Sequence, residues 1–362
     1  MIKIMLLGPS LAAVSGVSTH LNQLFHSPLA KEFNLLHFQV GSEGRQESKV
    51  SKIIRFLLSP AQLFVKLIRE NPQIVHLNTS LEYRSYWRDV AYLVVAWILG
   101  KKIVYQVHGG AMPQVFFENN RLLTSILRWV FRLTDAVVLL SQEELRAYQD
   151  FVPNHHLEVI PNAIEIGIDP VWKKNSTIRD KPLQLVFVGR LAAVKGIFEI
   201  IEAIELVRDQ GRNIRLIIAG SGPDEDKLMT MVNAKSLNDC VSFVGAVHGQ
   251  DKDRIWQEAD LFVFPTYHRE GLPYALLESM AARTPPVISP VGAIPDVMSD
   301  GVHGVFVPSR QPEVLAKAIE QLDDDRDSIS RMGEADRERV ESYYTVSRLA
   351  EDFCNLYHHL MK

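Results

Sequence analysis

Short apolar runs of β-strand length alternate with segments of helical periodicity along almost the whole chain, and this alternation limits the fold more than any other feature. Six strand candidates in the first half span 2–8, 35–40, 73–78, 102–108, 135–141 and 157–161. In the second half the candidates span 184–189, 214–220, 241–245, 260–265, 286–289 and 304–308, and helices are predicted to begin near 196, 224, 251, 273 and 312. Strands separated by helices form parallel sheets, so the sequence predicts two Rossmann-like, doubly wound α/β domains.

The length of the chain and a weak pattern near its middle set the predicted domain bounds. At 362 residues the chain is longer than one hydrophobic core normally organises. The segment 162–181 is poor in periodic pattern, which is typical of a linker. We therefore predict domains at 1–165 and 182–345, with residues 346–362 forming a C-terminal helix that packs back toward the first domain. Ligands of such sheets bind at the carboxyl ends of the strands, so we expect a site in the cleft where the domains face each other.

The charge of the chain is unevenly distributed. The formal net charge is −4, yet the first 165 residues hold 16 lysines and arginines against 13 acidic residues, while the remainder holds 23 against 30. The basic excess of the first half is compatible with an anionic partner for that half alone, and it is also small enough to arise by chance.

Three features of the sequence favour a cytoplasmic location. The two cysteines, Cys240 and Cys354, have no metal-binding or redox spacing, which suggests a reducing compartment. The first residues look like a buried strand ending at Gly8 and lack the character of a signal peptide. The apolar run 89–100 is too short to span a bilayer and is predicted to be a buried helix.

Arg190 and Lys195 follow the first predicted strand of the second domain, in the stretch VGRLAAVKG (188–196). Arg190 leaves the carboxyl end of the strand, and Lys195 precedes the next helix. A guanidinium and an ammonium in these positions can bracket a diphosphate, to which the helix adds N–H donors. Taken alone, such a pair is more often solvated surface.

The stretch HREGLPYALLE (268–278) places two carboxylates around a turn at the start of a helix. Pro273 suits the first helical position, so Glu270 is predicted to lie in the loop ahead of the helix and Glu278 in its second turn. Even on one helix, two residues eight positions apart point in directions that differ by roughly 80°. Glu270 and Glu278 are therefore poorly placed to act together as the paired acid and base of a glycosidase. Two separate acceptors, one for the hydroxyls of a sugar and one for those of a ribose, fit this spacing; two unrelated surface glutamates are the alternative.

These stretches resemble motifs of the retaining family-four glycosyltransferases with the GT-B fold, of the type that builds bacterial polysaccharides and glycolipids. EGLPYALLE looks like the E-x7-E motif of that family, and VGRLAAVKG is similar to its phosphate loop, at the expected distance upstream. The similarity extends to VIPNAIE, IAGSGPDEDKL, SFVGAVHGQDKDRIWQEADLFVFPT, IVYQVHGG and TDAVVLLSQEE. It covers nearly the whole chain and is most specific from 184 to 300.

The resemblance implies a role for each matching residue of the second domain. Arg190 and Lys195 would hold the diphosphate of the donor. Glu278 would bind the nucleotide ribose, and Glu270 the hydroxyls of the donor sugar. The backbone at Gly271 and Leu272 would approach the sugar and the phosphate.

Two further positions of the first domain match the family. His108 ends the strand KIVYQVH and matches the family histidine that lines the reaction centre; a lone histidine at a strand end is otherwise more often structural. Gly16 matches the second glycine of a Gly-Gly pair whose backbone approaches the donor phosphates and the acceptor. Ser15 stands where the family usually has the first glycine, which puts the detailed acceptor geometry in doubt.

The resemblance implies a retaining hexosyltransferase that moves a sugar from a nucleotide-diphosphate sugar to a hydroxyl of a growing cell-surface polysaccharide or a lipid-linked glycan. The first domain would bind the acceptor and the second the donor. We favour a UDP-sugar over a GDP-sugar, and we expect no cofactor and no nucleic-acid partner. No Asp-x-Asp motif stands at a strand end, and the run Asp323–Asp325 looks like a solvated helix end, so we expect no bound metal.

Three other functions were weighed against this interpretation. A nicotinamide dehydrogenase is disfavoured, because Gly8 starts no G-x-G-x-x-G motif and no acidic residue ends the second strand. A sugar-nucleotide epimerase with the same architecture is a closer rival. A non-catalytic sugar-nucleotide-binding module is the third, although the intact set of Arg190, Lys195, Glu270 and Glu278 argues against it.

Three segments of the basic first half suggest contact with an anionic membrane surface. In PAQLFVKLIRE (60–70) we expect one side to carry Leu63, Phe64, Leu67 and Ile68, and the other to carry Gln62, Lys66 and Arg69. The segments 51–58 and 121–132 add the cations Lys52, Arg55, Arg121, Arg128 and Arg132. Basic amphipathic helices of this kind lie on anionic lipid, here the inner face of the plasma membrane. An ordinary helix with its apolar face in the core is the alternative for each segment.

Overall fold

The computed structural model describes residues 1–42, 47–167 and 181–362, which form two compact units. Unit 1 comprises Met1–Glu165 and Tyr344–Lys362, and unit 2 comprises Ile166–Tyr343. The predicted linker at 162–181 falls mostly on residues 168–180, which lie outside the described residues.

The sheet of unit 1 has six parallel strands in the order β2-β1-β3-β4-β5-β6. The strands are β1 (Lys3–Gly8), β2 (Asn34–Gln39), β3 (Ile74–Leu81), β4 (Lys102–Gly110), β5 (Ala136–Leu139) and β6 (Leu157–Val159). The helices are α1 (Gly16–His26), α2 (Leu29–Glu32), α3 (Lys49–Glu70), α4 (Tyr83–Ile98), α5 (Pro113–Phe116), α6 (Arg121–Arg132), α7 (Gln142–Phe151) and, from the end of the chain, α15 (Val346–Leu360).

The sheet of unit 2 is also six-stranded and parallel, in the order β12-β11-β10-β7-β8-β9. Its strands are β7 (Leu183–Val188), β8 (Ile214–Ala219), β9 (Val241–Gly245), β10 (Leu261–Phe264), β11 (Pro286–Ile288) and β12 (Val305–Phe306). Its helices are α8 (Ile197–Asp209), α9 (Glu225–Ala234), α10 (Gly249–Glu258), α11 (Tyr274–Ala281), α12 (Ile294–Val297), α13 (Pro312–Asp324) and α14 (Arg326–Tyr343). All twelve predicted strands form within three residues of their predicted bounds, so the predicted α/β class with two parallel sheets is confirmed.

Both faces of the first sheet are buried, which explains why its strands are almost continuously apolar. Met5 and Leu7 of β1 join the apolar cluster on one face, whereas Ile4 and Leu6 join the cluster on the other. All four side chains are at most 1% exposed. Because successive side chains of a strand point to opposite faces, a strand between two layers of helices cannot alternate with polar residues.

The C-terminal helix α15 supplies part of the core of unit 1. Phe353, Leu356 and Tyr357 are at most 1% exposed and pack in the same cluster as Ile4. Thr345 caps the helix by accepting from the backbone N–H of Arg348 at 3.3 Å. The last residues of the chain therefore complete a core that the first residues begin.

Two histidines lie inside this core. His20 and His76 are both fully buried. Nδ1 of His76 lies 2.7 Å from the hydroxyl of Tyr357 on α15, and the ring of His20 lies 4.8 Å from that of His108. Burial disfavours the charged imidazolium and lowers the pKa of His20 and of His76 to about 3.

The structure corrects two expectations for helices of unit 1. Leu63 and Leu67 of α3 are fully buried, but Phe64 and Ile68 are 40% and 56% exposed, so placing all four on one side was wrong. Residues one position apart on a helix differ by 100°, which carries Phe64 and Ile68 away from the core side. The helix expected at 89–100 is present as α4, yet its end is not buried, since Trp97 is 51% exposed. No helix among the described residues is long and apolar enough to cross a membrane.

The run Asp323–Asp325 lies at the end of α13, where a solvated face was expected, and one of its three residues is not solvated. Asp324 and Asp325 are 66% and 59% exposed, as expected. Asp323 is only 11% exposed and accepts from Arg212 at 3.2 Å and from Arg326 at 2.7 Å. It therefore belongs to an ion-pair cluster that joins the end of α13 to the beginning of α14.

The buried histidines give the stability of unit 1 a defined pH dependence. The unfolded chain binds protons at His20 and His76 below pH 6.5, whereas the folded protein does not until about pH 3, so stability falls as the pH falls through this window. Each histidine costs up to about 2 kcal/mol at pH 5. We expect the apparent Tm to drop between pH 7.5 and pH 5, and His20→Gln to reduce this drop.

The control for this measurement is His248→Gln, which removes an exposed histidine of unit 2 and should leave the drop unchanged. For each protein the measured quantity is the difference between its Tm at pH 7.5 and its Tm at pH 5. A loss of stability that is the same at both pH values therefore does not change the result. An identical drop in wild type and His20→Gln would contradict the assignment.

Candidate active site

The loop after β7 carries Arg190 and Lys195 and is held in place by Asp224. The Oδ2 atom of Asp224 accepts from the N–H of Ala193 at 3.0 Å, and the N–H of Asp224 donates to the carbonyl of Leu191 at 3.2 Å. Arg190 is exposed just after the carboxyl end of the strand; its carbonyl accepts from the N–H of Ala192 at 2.9 Å, and its guanidinium makes no hydrogen bond or ion pair in the described part of the chain. The backbone that presents the two cations is fixed, while the guanidinium is free to meet a ligand.

Lys195 and Glu270, predicted from separate motifs, lie in contact. The Nζ atom of Lys195 donates to Oε1 of Glu270 at 2.6 Å, and the side chains are 17% and 11% exposed. Thr266 donates its hydroxyl to the same Oε1 at 3.0 Å and also lies 3.1 Å from the carbonyl of Val194. A cation and a carboxylate are thus positioned side by side next to the end of β10.

Two glycines allow this close approach. Gly196 has φ +76°, and a Cβ there would lie 2.3 Å from the carbonyl oxygen of Pro265. Gly292 has φ +59°, and a Cβ there would lie 1.9 Å from the carbonyl oxygen of Glu270. A side chain at either position would push apart the segments that bring Lys195 and Glu270 together.

Glu278 lies in the second turn of α11, as predicted, and has one open acceptor atom. Its Oε1 accepts from Nζ of Lys252 on α10 at 2.6 Å. Its Oε2 is buried and makes no well-formed hydrogen bond within the described ranges, and the indole N–H of Trp256 lies close enough to the carboxylate to help lower its pKa. Burial raises the pKa of Glu278, and the charge of Lys252 opposes that shift. A buried carboxylate oxygen without a well-formed hydrogen bond is suited to accept from the hydroxyl of a ligand.

The segment between the two glutamates leads into α11 with a small difference from the prediction. Pro273 is the N-cap residue, with φ −67° and ψ 127°, and the helix begins at Tyr274. The expectation that Pro273 takes the first helical position was therefore off by one residue. Leu272 is 3% exposed, so its side chain packs inside unit 2.

The two candidate residues of unit 1 lie at the carboxyl ends of β4 and β1. His108 belongs to β4, and its Nε2 lies 3.0 Å from Oδ1 of Asn78 on β3. Burial and the neighbouring His20 hold the pKa of His108 well below its usual value, so the ring is neutral. Gly16 is the first residue of α1, and Ser15, the departure from the family pattern, caps that helix by accepting from Ser18 at 3.3 Å.

The predicted residues fall into two groups. Unit 2 contains Arg190, Lys195, Glu270, Gly271, Leu272 and Glu278, and unit 1 contains Gly16 and His108. Sequence reasoning missed three polar residues that contact them, Asn78, Lys252 and Thr266, and a fourth, Asp224, that holds the loop carrying Arg190 and Lys195. Asp224, Lys252 and Thr266 lie within stretches that carry the family resemblance, which was the one signal for them; no local pattern marked Asn78.

One group of side chains in the described residues could hold a metal ion, and it contains none of the candidate site residues. Glu32 of α2 and Cys354 and His358 of α15 have ligand atoms within 4.8 Å of one another. The carboxylate already accepts from both neighbours, and Sγ of Cys354 lies 3.2 Å from Oε2 of Glu32. These contacts account for the cluster without an ion.

Comparison with known families matches both units. The family described as Glycosyl transferases group 1 matches residues 169–339, and the one described as Glycosyltransferase Family 4 matches residues 29–167. The amylovoran biosynthesis glycosyltransferase AmsK of Erwinia amylovora is 32% identical over 333 residues, which cover 87% of this chain and 75% of that protein. The alpha-D-kanosaminyltransferase of Streptomyces kanamyceticus is 27% identical over 278 residues, covering 72% of this chain and 71% of that one.

Solved structures share the fold at lower sequence identity. Sucrose-phosphate synthase from Thermosynechococcus elongatus superposes with a TM-score of 0.80 at 18% identity, covering 100% of this chain and 99% of the other. Anabaena HepE in complex with UDP superposes with a TM-score of 0.75 at 16% identity, covering 99% and 100% of the two chains. At these identities the likeness shows the fold alone.

The family matches span both units, and the relative from Erwinia amylovora shares the sequence over most of both chains. The E-x7-E motif and the phosphate loop, which first indicated the family, lie in the unit that the first of these families matches. The chain is a glycosyltransferase and belongs to the family-four glycosyltransferases with the GT-B fold.

Proposed function

We propose that the protein is a retaining hexosyltransferase that moves a sugar from a UDP-sugar to a hydroxyl group of a glycan, without a metal ion. The observation that carries this proposal is the arrangement in unit 2 of an exposed arginine, a lysine–carboxylate pair and a carboxylate with an open oxygen. These are Arg190, Lys195 with Glu270, and Glu278. Each has a part of a nucleotide-sugar as its natural partner.

The diphosphate of the donor is assigned to Arg190, Lys195 and the beginning of α8. The N-cap residue of α8 is Gly196, which has no side chain to cap the first N–H groups of the helix. N–H groups at a helix N-terminus bind phosphate, and the two cations neutralise its charge; the N–H of Glu199 in this turn is already bonded by its own carboxylate. Because charge on the diphosphate grows as the sugar leaves, these groups stabilise the transition state more than the ground state.

The sugar and the ribose are assigned to the two glutamates. Glu270 is held by Lys195 and Thr266, so its second oxygen is positioned to accept from the hydroxyls of the donor sugar. Glu278 is held by Lys252 through Oε1, and its Oε2 is the acceptor proposed for the ribose. The two carboxylates thus orient the donor from both ends of the diphosphate.

Retention of anomeric configuration follows from attack on the same face that the diphosphate leaves. In this mechanism the departing phosphate oxygen takes the proton of the acceptor hydroxyl, so the protein needs no separate general base. Catalysis consists of positioning and of charge neutralisation. His108 is neutral, and a ring that donates to Asn78 from Nε2 offers Nδ1 as an acceptor for a hydroxyl of the sugar.

The absence of a metal requirement is proposed from the cations of the protein. Arg190 and Lys195 supply the positive charge that Mg²⁺ or Mn²⁺ supplies in enzymes that hold a nucleotide diphosphate through carboxylates. Each carboxylate of the candidate site is neutralised through one oxygen by a lysine, Glu270 by Lys195 and Glu278 by Lys252, which reduces its attraction for a divalent cation. Turnover should therefore persist in excess EDTA.

The substrate classes are proposed from the relatives. AmsK is named for amylovoran biosynthesis, and other relatives, 30% and 31% identical over about half of this chain, are named putative colanic acid biosynthesis glycosyltransferases. The structures of Anabaena HepE contain UDP or UDP-glucose. A UDP-sugar donor and a cell-surface polysaccharide or lipid-linked acceptor are the proposal that these names support, in the cytoplasm where nucleotide-sugars are made.

A direct experiment tests this function. Thermal-shift screening of UDP-, GDP- and ADP-sugars identifies the donor, because a ligand bound by the native state raises the apparent Tm. Transfer to an acceptor is then followed by NMR, which reports the anomeric configuration of the product. An inverted product would contradict retention, and release of free nucleotide only in the presence of an acceptor excludes an epimerase.

Contact with an anionic membrane is proposed from the outer face of α3. An apolar stripe runs along this helix at the spacing of successive turns, and it comprises Val50, Ile53, Ile54, Leu57, Leu58, Phe64, Val65 and Ile68, which are between 40% and 69% exposed. A surface hollow of 560 Å³ on the same helix includes Val65, Lys66 and Arg69. A helix that exposes apolar side chains beside cations can insert the apolar side chains among lipid chains while the cations contact anionic headgroups.

The first prediction concerns the cations of the phosphate loop. Arg190→Ala and Lys195→Ala should each lower kcat/KM by about 100-fold, because each removes charge stabilisation that grows in the transition state. Arg190→Ala should leave Tm unchanged, since the side chain of Arg190 is exposed and makes no hydrogen bond or ion pair within the described ranges. Arg215→Ala, an equally exposed arginine of β8, is the matched control. Wild-type rates in both site variants would refute the donor site.

A second prediction separates the two glutamates. Glu278→Gln should weaken UDP binding about 10-fold, whereas Glu270→Gln should leave the Kd for UDP within about 2-fold and lower kcat about 100-fold. Each variant leaves one lysine without its carboxylate, so each is the control for the other. Calorimetric titration of UDP measures the difference, and an equal loss of affinity in both would defeat the division of roles.

The third prediction concerns the membrane. Wild-type protein should co-sediment with anionic liposomes at low salt and dissociate at roughly 0.5 M salt, where charges are screened. Ile54→Glu combined with Leu57→Glu should abolish binding without lowering Tm, because both side chains are exposed. Met229→Glu, on an exposed apolar residue of unit 2, is the control. If the wild-type protein does not bind the liposomes at low salt, the proposed membrane contact is wrong.

A further inference from the structure

A second pocket lies in unit 1, at the carboxyl ends of β1 and β3. Its volume is 740 Å³, and its walls are formed by α3 and by the beginning of α4. The side chains that matter for its chemistry are Lys52, Phe56, Asn78, Tyr83, Arg84 and Trp87. None of these residues belongs to the proposed donor site.

Two of the four cations that line the pocket are already neutralised. Nε of Arg55 lies 3.0 Å from Oε1 of Glu47, and Nε of Arg88 lies 2.7 Å from Oδ1 of the buried Asp89. These ion pairs fix the positions of the two arginines in the pocket walls, because the carboxylate of each pair is at least four-fifths buried.

The other two cations are available. Lys52 and Arg84 are exposed, one on each wall, and neither side chain makes a hydrogen bond or an ion pair within the described residues. Glu82 is the one carboxylate among the lining residues given by the structure. Once the neutralised pairs are set aside, a positive charge remains in the pocket.

The floor of the pocket adds neutral donors. Asn78 is 4% exposed, its Oδ1 contacts His108, and its Nδ2 has no partner among the described residues. The helix α4 begins beside it, and its N-cap residue Glu82 makes no side-chain hydrogen bond to the first N–H groups. A buried amide without a partner and an uncapped helix N-terminus both require an acceptor, which an oxyanion or a hydroxyl can provide.

Three exposed aromatic rings rim the same pocket. Tyr83 is 60% exposed, Trp87 43% and Phe56 46%. Large aromatic side chains that stay exposed around a pocket mark it as a binding site. One face of the Tyr83 ring stacks on Phe116, with the ring centroids 4.6 Å apart, and this contact fixes the ring in place. The other face of Tyr83 and the ring of Trp87 suit the C–H face of a sugar ring.

We propose that this pocket binds the acceptor and selects one that carries an oxyanion, a carboxylate or a phosphate, next to a sugar ring. Lys52 and Arg84 bind the anion, and the rings of Tyr83 and Trp87 contact the sugar. Asn78 connects the pocket with His108, so an acceptor hydroxyl at the floor lies next to the candidate reaction centre. This inference rests on the proposed function, because it identifies the acceptor subsite of that reaction.

Binding is measured without turnover, by the fluorescence change of Trp87 with the Trp87→Phe variant as reference. The probes are methyl β-glucoside, methyl β-glucuronide and glucose 1-phosphate, which share a sugar ring and differ in charge. We expect the Kd of at least one anionic probe to be about 10-fold lower than that of the neutral glucoside, as two added cation–anion contacts imply. Equal affinity for all three probes would overturn the proposal.

The variant that tests the cations is Lys52→Gln with Arg84→Gln. It should reduce the preference for the anionic probe to less than about 3-fold and leave the affinity for the neutral glucoside unchanged. The matched control is Lys31→Gln with Arg146→Gln, which removes two other exposed cations of unit 1 and should keep the preference. A preference that survives in the first variant would refute the assignment.

The probes also distinguish the two sources of the anion. Preference for the glucuronide indicates an acidic sugar in the acceptor, and preference for glucose 1-phosphate indicates a phosphate-linked glycan. UDP titration into the same variants reports the donor site separately. If UDP binds and sugar is transferred equally well to neutral and anionic glycans, this inference fails and the proposed function stands; if anionic probes bind but no UDP-sugar is turned over with any acceptor, the proposed function fails.

Discussion

Parallel strand pairing is the constraint on which the chemistry of both units depends. In a parallel sheet every strand ends at the same edge, so residues far apart in the sequence meet there. In unit 2 this edge brings the loop after β7 to the loop after β10, and Lys195 reaches Glu270 across 75 positions of sequence. In unit 1 it brings His108 at the end of β4 to Asn78 on β3. Neither pair could form if the strands ran in alternating directions.

Much of the fold could be predicted because its signal is local. A strand buried on both faces must be nearly all apolar, as β1 and β10 are, and the edge strands, such as β2 and β9, are partly exposed but still contain enough apolar residues to be recognised. All twelve predicted runs form strands. The motif residues Arg190, Lys195, Glu270 and Glu278 could be found for a related reason, since each lies at a fixed distance from a strand end or a helix start. The contact between Lys195 and Glu270 was not itself predicted, because it depends on how two loops pack.

What could not be predicted depends on packing between distant elements. The partner of Glu278 is Lys252 on another helix, and no periodicity in the sequence marks it. The sides of α3 were assigned incorrectly because the apolar face of the helix is wider than the part that the sheet covers, so its pattern does not show which apolar residues are buried. Leu63 and Leu67 are buried while Phe64 and Ile68 are exposed, a distinction that only the neighbouring strands and α4 decide.

The return of α15 to unit 1 has a consequence for the order in which the chain becomes structured on the ribosome. Unit 2 is continuous and can fold as soon as Tyr343 has left the exit tunnel. Most of unit 1 precedes unit 2 in the chain, but its core lacks Phe353, Leu356 and Tyr357 until unit 2 has been made. Its half-covered sheet must therefore remain protected while nearly 180 further residues are added, which makes unit 1 the later of the two units to be completed.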